Sequence, residues 1–348
     1  MLNKNLLKTI CETSGAPGYE NRVRALVLKE IKPFVDSVEV DNLGNIIALK
    51  KGKSSEKSVM IGAHMDEIGF IVTHIDEFGF LKFHPLGGFD PKTLTSQRVI
   101  VHGKKDIIGV MGSKPLHVMS QDEKNKVPKI NDFYIDVGLN KEDVDKVVSV
   151  GNTVTREREL IEMGECINCK SLDNRIAVYI LIETLKKINI PHYNTYAVFT
   201  VQEEVGIRGA QVATQKIKPD FGIGLDTTIA YDVPGAAPND KITSLGKGVA
   251  IKIMDASIIC DQRMISFMKN NANKNKIKWQ NEILTAGGTD SANIQRMTPG
   301  GSIAGALSIP TRHIHQVIEM VHKSDVKNCI ELLTVCLKNI NDWDWEFR

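Results

Sequence analysis

The chain has 348 residues, 44 Lys+Arg against 42 Asp+Glu, a formal net charge of +2 and 42% hydrophobic residues, the composition of a globular protein with one large domain or two ordinary ones. The near balance of charge gives no reason to expect a nucleic-acid partner. No apolar run approaches the ~20 residues of a membrane span, and Met1-Leu2-Asn3-Lys4-Asn5 lacks the apolar core of a secretion signal, so a cytoplasmic protein without a membrane partner is expected.

Past Ser14-Gly15-Ala16-Pro17-Gly18-Tyr19-Glu20, the apolar positions Val23, Leu26, Val27 and Ile31 follow helical spacing. Strands are predicted at 37–40, 46–50 and 59–63. From about residue 68 to 166 the texture changes to short alternating stretches, such as Phe70-Ile71-Val72-Thr73, broken by Gly, Pro and Asp. Only one short helical pattern interrupts them, near 141–147, so this segment reads as a small β-rich module. The α/β texture then returns. Ile176, Ile180, Leu181, Thr184, Leu185 and Ile188 mark an amphipathic helix over 175–188. Strands are expected at 196–201 and 221–225, and a last helix over 317–337. The simplest architecture is an α/β domain interrupted by a β-rich insertion. Six cysteines are present, with one C-x-x-C at Cys166 and Cys169 and no second pair, so reduced thiols are expected.

Five segments place acids or histidines at strand ends or loops. The strand at 59–63 runs into His64-Met65-Asp66-Glu67. His64 and Asp66 lie two residues apart and face one side of an extended chain. A metal-binding imidazole needs an acceptor behind its other nitrogen, which Asp66 can supply. Asp173 precedes the amphipathic helix, where capping is the better reading of that segment taken alone. Glu203 and Glu204 end a strand, and paired acids there are costly to bury without a counter-ion. Asp226 ends another. Ile309-Pro310-Thr311-Arg312-His313-Ile314-His315 carries two histidines after a proline. Hard oxygens and imidazoles without thiolate suit two divalent ions such as zinc, cobalt or manganese. Gly287-Gly288-Thr289-Asp290-Ser291 reads as a tight loop entering a helix, with capping and substrate lining both open. His74, His84, His102, His117, His192 and His322 have no ligand-like context.

The ordered set Ser14-Gly15-Ala16-Pro17-Gly18, Ala63-His64-Met65-Asp66-Glu67, Leu172-Asp173-Asn174-Arg175, Gln202-Glu203-Glu204-Val205-Gly206-Ile207-Arg208-Gly209-Ala210, Gly224-Leu225-Asp226 and Gly287-Gly288-Thr289-Asp290 resembles the tetrahedral (TET) aminopeptidases. These are dinuclear metallopeptidases that include glutamyl, leucyl and lysyl aminopeptidases. The resemblance covers essentially the whole chain. It implies an α/β fold in which a mixed-sheet metallopeptidase domain, 1–67 and 167–348, is sandwiched by helices. A PDZ-like or barrel-like insertion, 68–166, would serve dimerisation. It further implies Asp173 bridging two divalent ions, with His64 and Asp226 completing one site and Glu204 and His315 the other. Zinc or cobalt would be the ions, with manganese as an alternative. Asp66 would orient His64, and Glu203 would be the general base. Peptides would be the substrates, and dimers would build a twelve-subunit tetrahedron. One departure stands out. The family's last motif reads Arg-Tyr-x-His-Ser-Pro, whereas here His313, Gln316 and Val317 surround His315. A related amidohydrolase is the rival reading. A polysaccharide hydrolase, the label some relatives carry, would need two opposed carboxyl groups and no metal.

Overall fold

The computed structural model describes residues 2–347. Among them, eleven strands form one mixed sheet. At its centre Tyr193–Thr200, Ser54–His64, Phe221–Ile229 and Ile303–Arg312 run parallel, with Ile61 level with Ala197 and with Ile223. A parallel sheet must be covered on both faces, and its strands are accordingly apolar on both. Val59 and Ile61 face the main core beside the helices Lys4–Glu12, Asn21–Ile31, Leu172–Lys187 and Lys323–Asn339. Met60 points the other way, into a smaller cluster with Val198, Ala213 and Ile294. Glycines let the helix Asp290–Arg296 lie close on that second face: a Cβ at Gly224 would sit 2.8 Å from Ser291 Cβ. Ser54–His64 and Tyr193–Thr200 end level with each other, and this side of the sheet forms a crest that carries His64, Glu203, Glu204 and Asp226.

Between Gly69 and Arg156 the chain forms a closed barrel. Its strands are Gly69–Ile75, Leu81–Leu86, Phe133–Asp136, Asp106–Ser113, Arg98–His102 and Thr153–Arg156, in that order around the wall. Phe70, Val72, Leu81, Val99, Val101, Ile135 and Val154 alternate inward to fill it. The strands Ile161–Met163 and Cys166–Cys169 lie outside the barrel and pair in the large sheet. All six cysteines are free. The barrel is tied to the α/β body at its flank, where Arg22 Nη2 donates to Asp106 Oδ1 at 2.8 Å and Thr155 Oγ1 donates to Ser14 Oγ at 3.0 Å.

Three differences from the sequence expectation bear on the fold around the crest. The helix Lys4–Glu12 was not foreseen; Asn3 caps it by accepting from the Leu6 amide, and Leu6, Leu7, Ile10 and Cys11 bury one stripe. Asp226 lies within Phe221–Ile229, which continues past 225, rather than at its end. The helix expected over 317–337 is in fact the strand Glu319–His322 followed by the helix Lys323–Asn339. Cys166–Cys169 offers that strand a ladder partner, and His322 Nδ1 accepts from the Ser324 amide at 3.2 Å, starting the helix there. No helix among the described residues is long and apolar enough to cross a membrane.

Candidate metal centre

The seven residues singled out from the sequence converge at the crest. His64 ends its strand with the ring buried. Its Nδ1 lies 3.2 Å from the Asp66 carbonyl oxygen and 3.4 Å from Asp66 Oδ1. A proton on Nδ1 shared with that carbonyl leaves Nε2 free to face the acids. Nε2 lies 3.5 Å from Asp173 Oδ1, 3.7 Å from Asp226 Oδ1 and 3.8 Å from Glu203 Oε2. Asp66 also has a second task. Its Oδ1 and Oδ2 accept the Glu203 and Glu204 amides, both at 3.1 Å, so one buried carboxylate fixes the turn carrying two others.

Asp173 does not cap the helix with its side chain: among the described residues no backbone amide donates to its carboxylate, whose oxygens face two histidines. Ser171 before it is left-handed (φ 53°), Asp173 itself is extended (φ −77°, ψ 109°), and the helix becomes regular only after Asn174. Asn174 is anchored by its Nδ2, which donates to the Leu225 carbonyl at 2.9 Å. The Asp173 carboxylate stands between two histidines, with Oδ1 3.5 Å from His64 Nε2 and Oδ2 3.4 Å from His315 Nε2. His315 Nε2 is also 3.3 Å from Glu204 Oε2. Two triads result, His64–Asp173–Asp226 and Asp173–Glu204–His315, each with its three donor atoms within 4.8 Å of one another. They share Asp173. His313 does not join them; it is exposed and lines the mouth of the cleft.

The electrostatics call for a cation. Burial pushes Glu203 well above the usual carboxylate range, with Asp226, Glu204 and Asp290 adding to the rise. Burial likewise raises Asp226 to about 7 and also raises Glu204. Burial alone would lower the imidazoles. The surrounding carboxylates override it, lifting His64 well above its ordinary value and His315 to about 11. Asp173 resists burial and is lowered by hydrogen bonds from both histidines. Glu204 Oε1 is buried with no hydrogen-bond partner among the described residues. A buried oxygen without a donor, in a set of hard oxygens and imidazoles, fits divalent metal ions.

Two contributors were not recognised from the sequence, and a third, Asp290, was read there only as a cap or a substrate-lining residue. Glu319 accepts the Asp173 amide on Oε2 at 2.9 Å and the His315 amide on Oε1 at 3.0 Å. Arg156, at the end of a barrel strand, donates from Nη1 to the His315 carbonyl at 3.1 Å. Asp290 is buried, accepts from Thr200 Oγ1 at 2.5 Å and is raised by burial to about 6. Beside the cluster opens a cleft of about 570 Å³, walled by Ile207, Ile229, Leu284, Ala286 and Ile314, with the Gly287-Gly288-Thr289 loop along one side.

A family model described as M42 glutamyl aminopeptidase matches residues 44–332. The lysyl aminopeptidase of Pyrococcus furiosus is 34% identical over 357 aligned positions, covering 99% of each chain. The TET aminopeptidase of the marine sediment archaeon Thaumarchaeota archaeon SCGC AB-539-E09 superposes with a TM-score of 0.94 at 34% identity, over 97% of this chain and 96% of that one. The TET1 peptidase of Pyrococcus horikoshii, which can assemble into a tetrahedron or a large octahedral shell, gives 0.86 at 30% identity, over 96% and 98%. The chain belongs to the M42 glutamyl aminopeptidase family, a family of metal-dependent peptide hydrolases.

Proposed function

We propose that the protein releases N-terminal residues from short peptides at a centre of two divalent ions, zinc or cobalt, with manganese as an alternative. Asp173 would bridge the ions, His64 and Asp226 would complete one site, and Glu204 and His315 the other. The observation that carries this reading is the division of the Asp173 oxygens, one toward each histidine. When bound, such ions lower the pKa of water and polarise the scissile carbonyl. The protein's own groups do the rest. Glu203 takes the proton of the attacking water on Oε2, beside His64, and returns it to the leaving amine. Asp66 orients His64 and holds the Glu203–Glu204 turn. The inserted barrel would be the dimerisation module, and its dimers would build a closed shell like those of the TET relatives.

The test is Glu203→Gln. The variant should keep two ions per subunit, counted by elemental analysis, while hydrolysis of aminoacyl-p-nitroanilides falls about 10²–10⁴-fold. Near-normal turnover would refute the assignment of the base. N-acetylated substrates run alongside separate the rival chemistry: cleavage of the blocked compounds would make the protein a different amidohydrolase.

A further inference from the structure

We infer that the inserted barrel is a working part of the His315 half of the metal centre, with Arg156 and Glu319 acting as positioning residues for His315. The inference rests on the two-ion reading above and goes beyond it. The two halves of the centre are built differently. His64 sits at the end of a central strand, and its support, Asp66, comes from the same α/β body. His315 sits in a loop with a left-handed backbone, φ 63°. A non-glycine residue persists there only where its surroundings over-determine it. Here they do. The His315 N–H donates to Glu319 Oε1 at 3.0 Å, and its carbonyl accepts from Arg156 Nη1 at 3.1 Å. Both polar groups of the strained residue are thus held by side chains that are only 1% and 2% exposed.

Glu319 does more than hold one residue. Its second oxygen takes the Asp173 amide at 2.9 Å, so a single carboxylate fixes the spacing of the His315 and Asp173 backbones. Arg156 draws its position from the barrel. It ends Thr153–Arg156, and its guanidinium carbon lies 5.6 Å from the centroid of the Phe89 ring. That ring stacks on Phe70 in the barrel core at 4.3 Å. Arg156 Nε and Nη2 are buried without a hydrogen-bond acceptor among the described residues, so local hydrogen bonding does not explain why the arginine is buried. The barrel makes a second approach at Gly88, where a Cβ would stand 3.2 Å from His315 Nδ1. Barrel backbone and barrel guanidinium therefore flank the same histidine.

Groups that orient a ligand from behind change metal affinity about 10–100-fold when removed. The effect here should be confined to one ion. The experiment compares the full-length holoenzyme with Arg156→Met, Arg156→Lys and His315→Ala, titrating each with a zinc chelator and counting ions per subunit. Arg156→Met should hold one ion as tightly as the parent and the other about 10–100-fold more weakly. Adding Arg156→Met to His315→Ala should cost no further ion. Excess Zn²⁺ should restore activity to Arg156→Met but not to His315→Ala, and Arg156→Lys should fall between the parent and Arg156→Met. Should Arg156→Met fail to fold, Arg156→Gln serves instead: it too removes the guanidinium that holds the His315 carbonyl, and the same selective loss is expected. Wild-type affinity for both ions in a folded variant, or equal weakening of both, would overturn the inference. A parent enzyme that binds fewer than two ions overturns the two-ion reading itself and this inference with it.

Discussion

Two kinds of buried charge lie within the α/β body, and they differ in whether acids meet lysine or arginine. Behind the crest, Lys170 Nζ is 2.7 and 2.6 Å from the two oxygens of Glu67, and Arg175 Nη2 approaches Glu67 Oε1 at 3.6 Å. Along the cleft wall, Lys252 Nζ is 2.9 Å from Asp255 Oδ2 and 2.6 Å from Glu282 Oε1. In both clusters acid meets base directly. At the crest, Asp173, Glu203, Glu204 and Asp226 converge on two imidazoles, and none of them pairs with a lysine or arginine among the described residues. The first two clusters are finished by the chain itself. The third is left open, and the charge it lacks is the charge a metal ion brings.

The contrast makes opposite predictions for two substitutions in metal-stripped protein. Lys170→Met leaves Glu67, fully buried, without its closest counter-charge. Breaking a buried pair from one side costs about 3–5 kcal/mol. The expected result is a much lower urea midpoint, with part of the loss recovered when Glu67→Leu is added. A silent Lys170→Met would mean that the pair does not help hold the loop of His64–Glu67.

Asp290→Asn should act the other way. In the folded state burial holds Asp290 at about 6, against an ordinary 3.8. Between those values the folded protein binds more protons than the unfolded chain. Stability therefore rises as pH falls from 6 toward 3.8, and that gain is lost as pH rises through 6. Asparagine keeps an oxygen for the Thr200 hydroxyl and removes the charge. The metal-stripped variant should be more stable by about 1–3 kcal/mol at pH 8, with a flatter stability profile between pH 4 and 6. Destabilisation at pH 8 would show that the crowding of acids at the crest carries no penalty, and the comparison would fail.

The crest was legible in the sequence where polarity changes abruptly along the chain. His64 follows the buried run Val59-Met60-Ile61-Gly62-Ala63, and Glu203 and Glu204 follow Val198-Phe199-Thr200-Val201, so an acid or imidazole at the end of an apolar strand stands out. The fold was legible for the same reason, together with the change of texture at the barrel. Asp173 was ambiguous because a cap and a ligand occupy the same place before a helix, and only the direction of its carboxylate, toward His64 and His315, separates them. Glu319 was hidden inside Val317-Ile318-Glu319-Met320-Val321, an apolar stretch that suits a helix until its ladder partner, Cys166–Cys169, is known. Arg156 carried no local signal at all. Its contact with His315 spans 159 residues and depends on how the barrel docks.

The paired cluster on the cleft wall also bears on which peptides are cut. Lys252 and Asp255 are the lysine and aspartate that line the cleft outside the acid–imidazole cluster. Lys252 is engaged by Asp255 and Glu282, and Asp255 also accepts the Ser257 amide and hydroxyl, both at 2.7 Å. Neither charge is free to meet a substrate. An N-terminal glutamate would have to be desolvated without a cation of its own, and an N-terminal lysine without an anion, whereas Ile207, Ile229, Leu284 and Ala286 offer apolar contact. Leucine and methionine p-nitroanilides should therefore exceed the lysine and glutamate compounds in kcat/KM by about tenfold, or ~1.4 kcal/mol. A preference for glutamate would mean that Lys252 leaves its partners to bind substrate. A preference for lysine would mean that the second acid around Lys252 reaches the cleft as net negative charge. Either result would show that a cluster paired in the free enzyme is opened by substrate, and the division between acids paired with lysine or arginine and acids left to the imidazoles would then hold only before substrate binds.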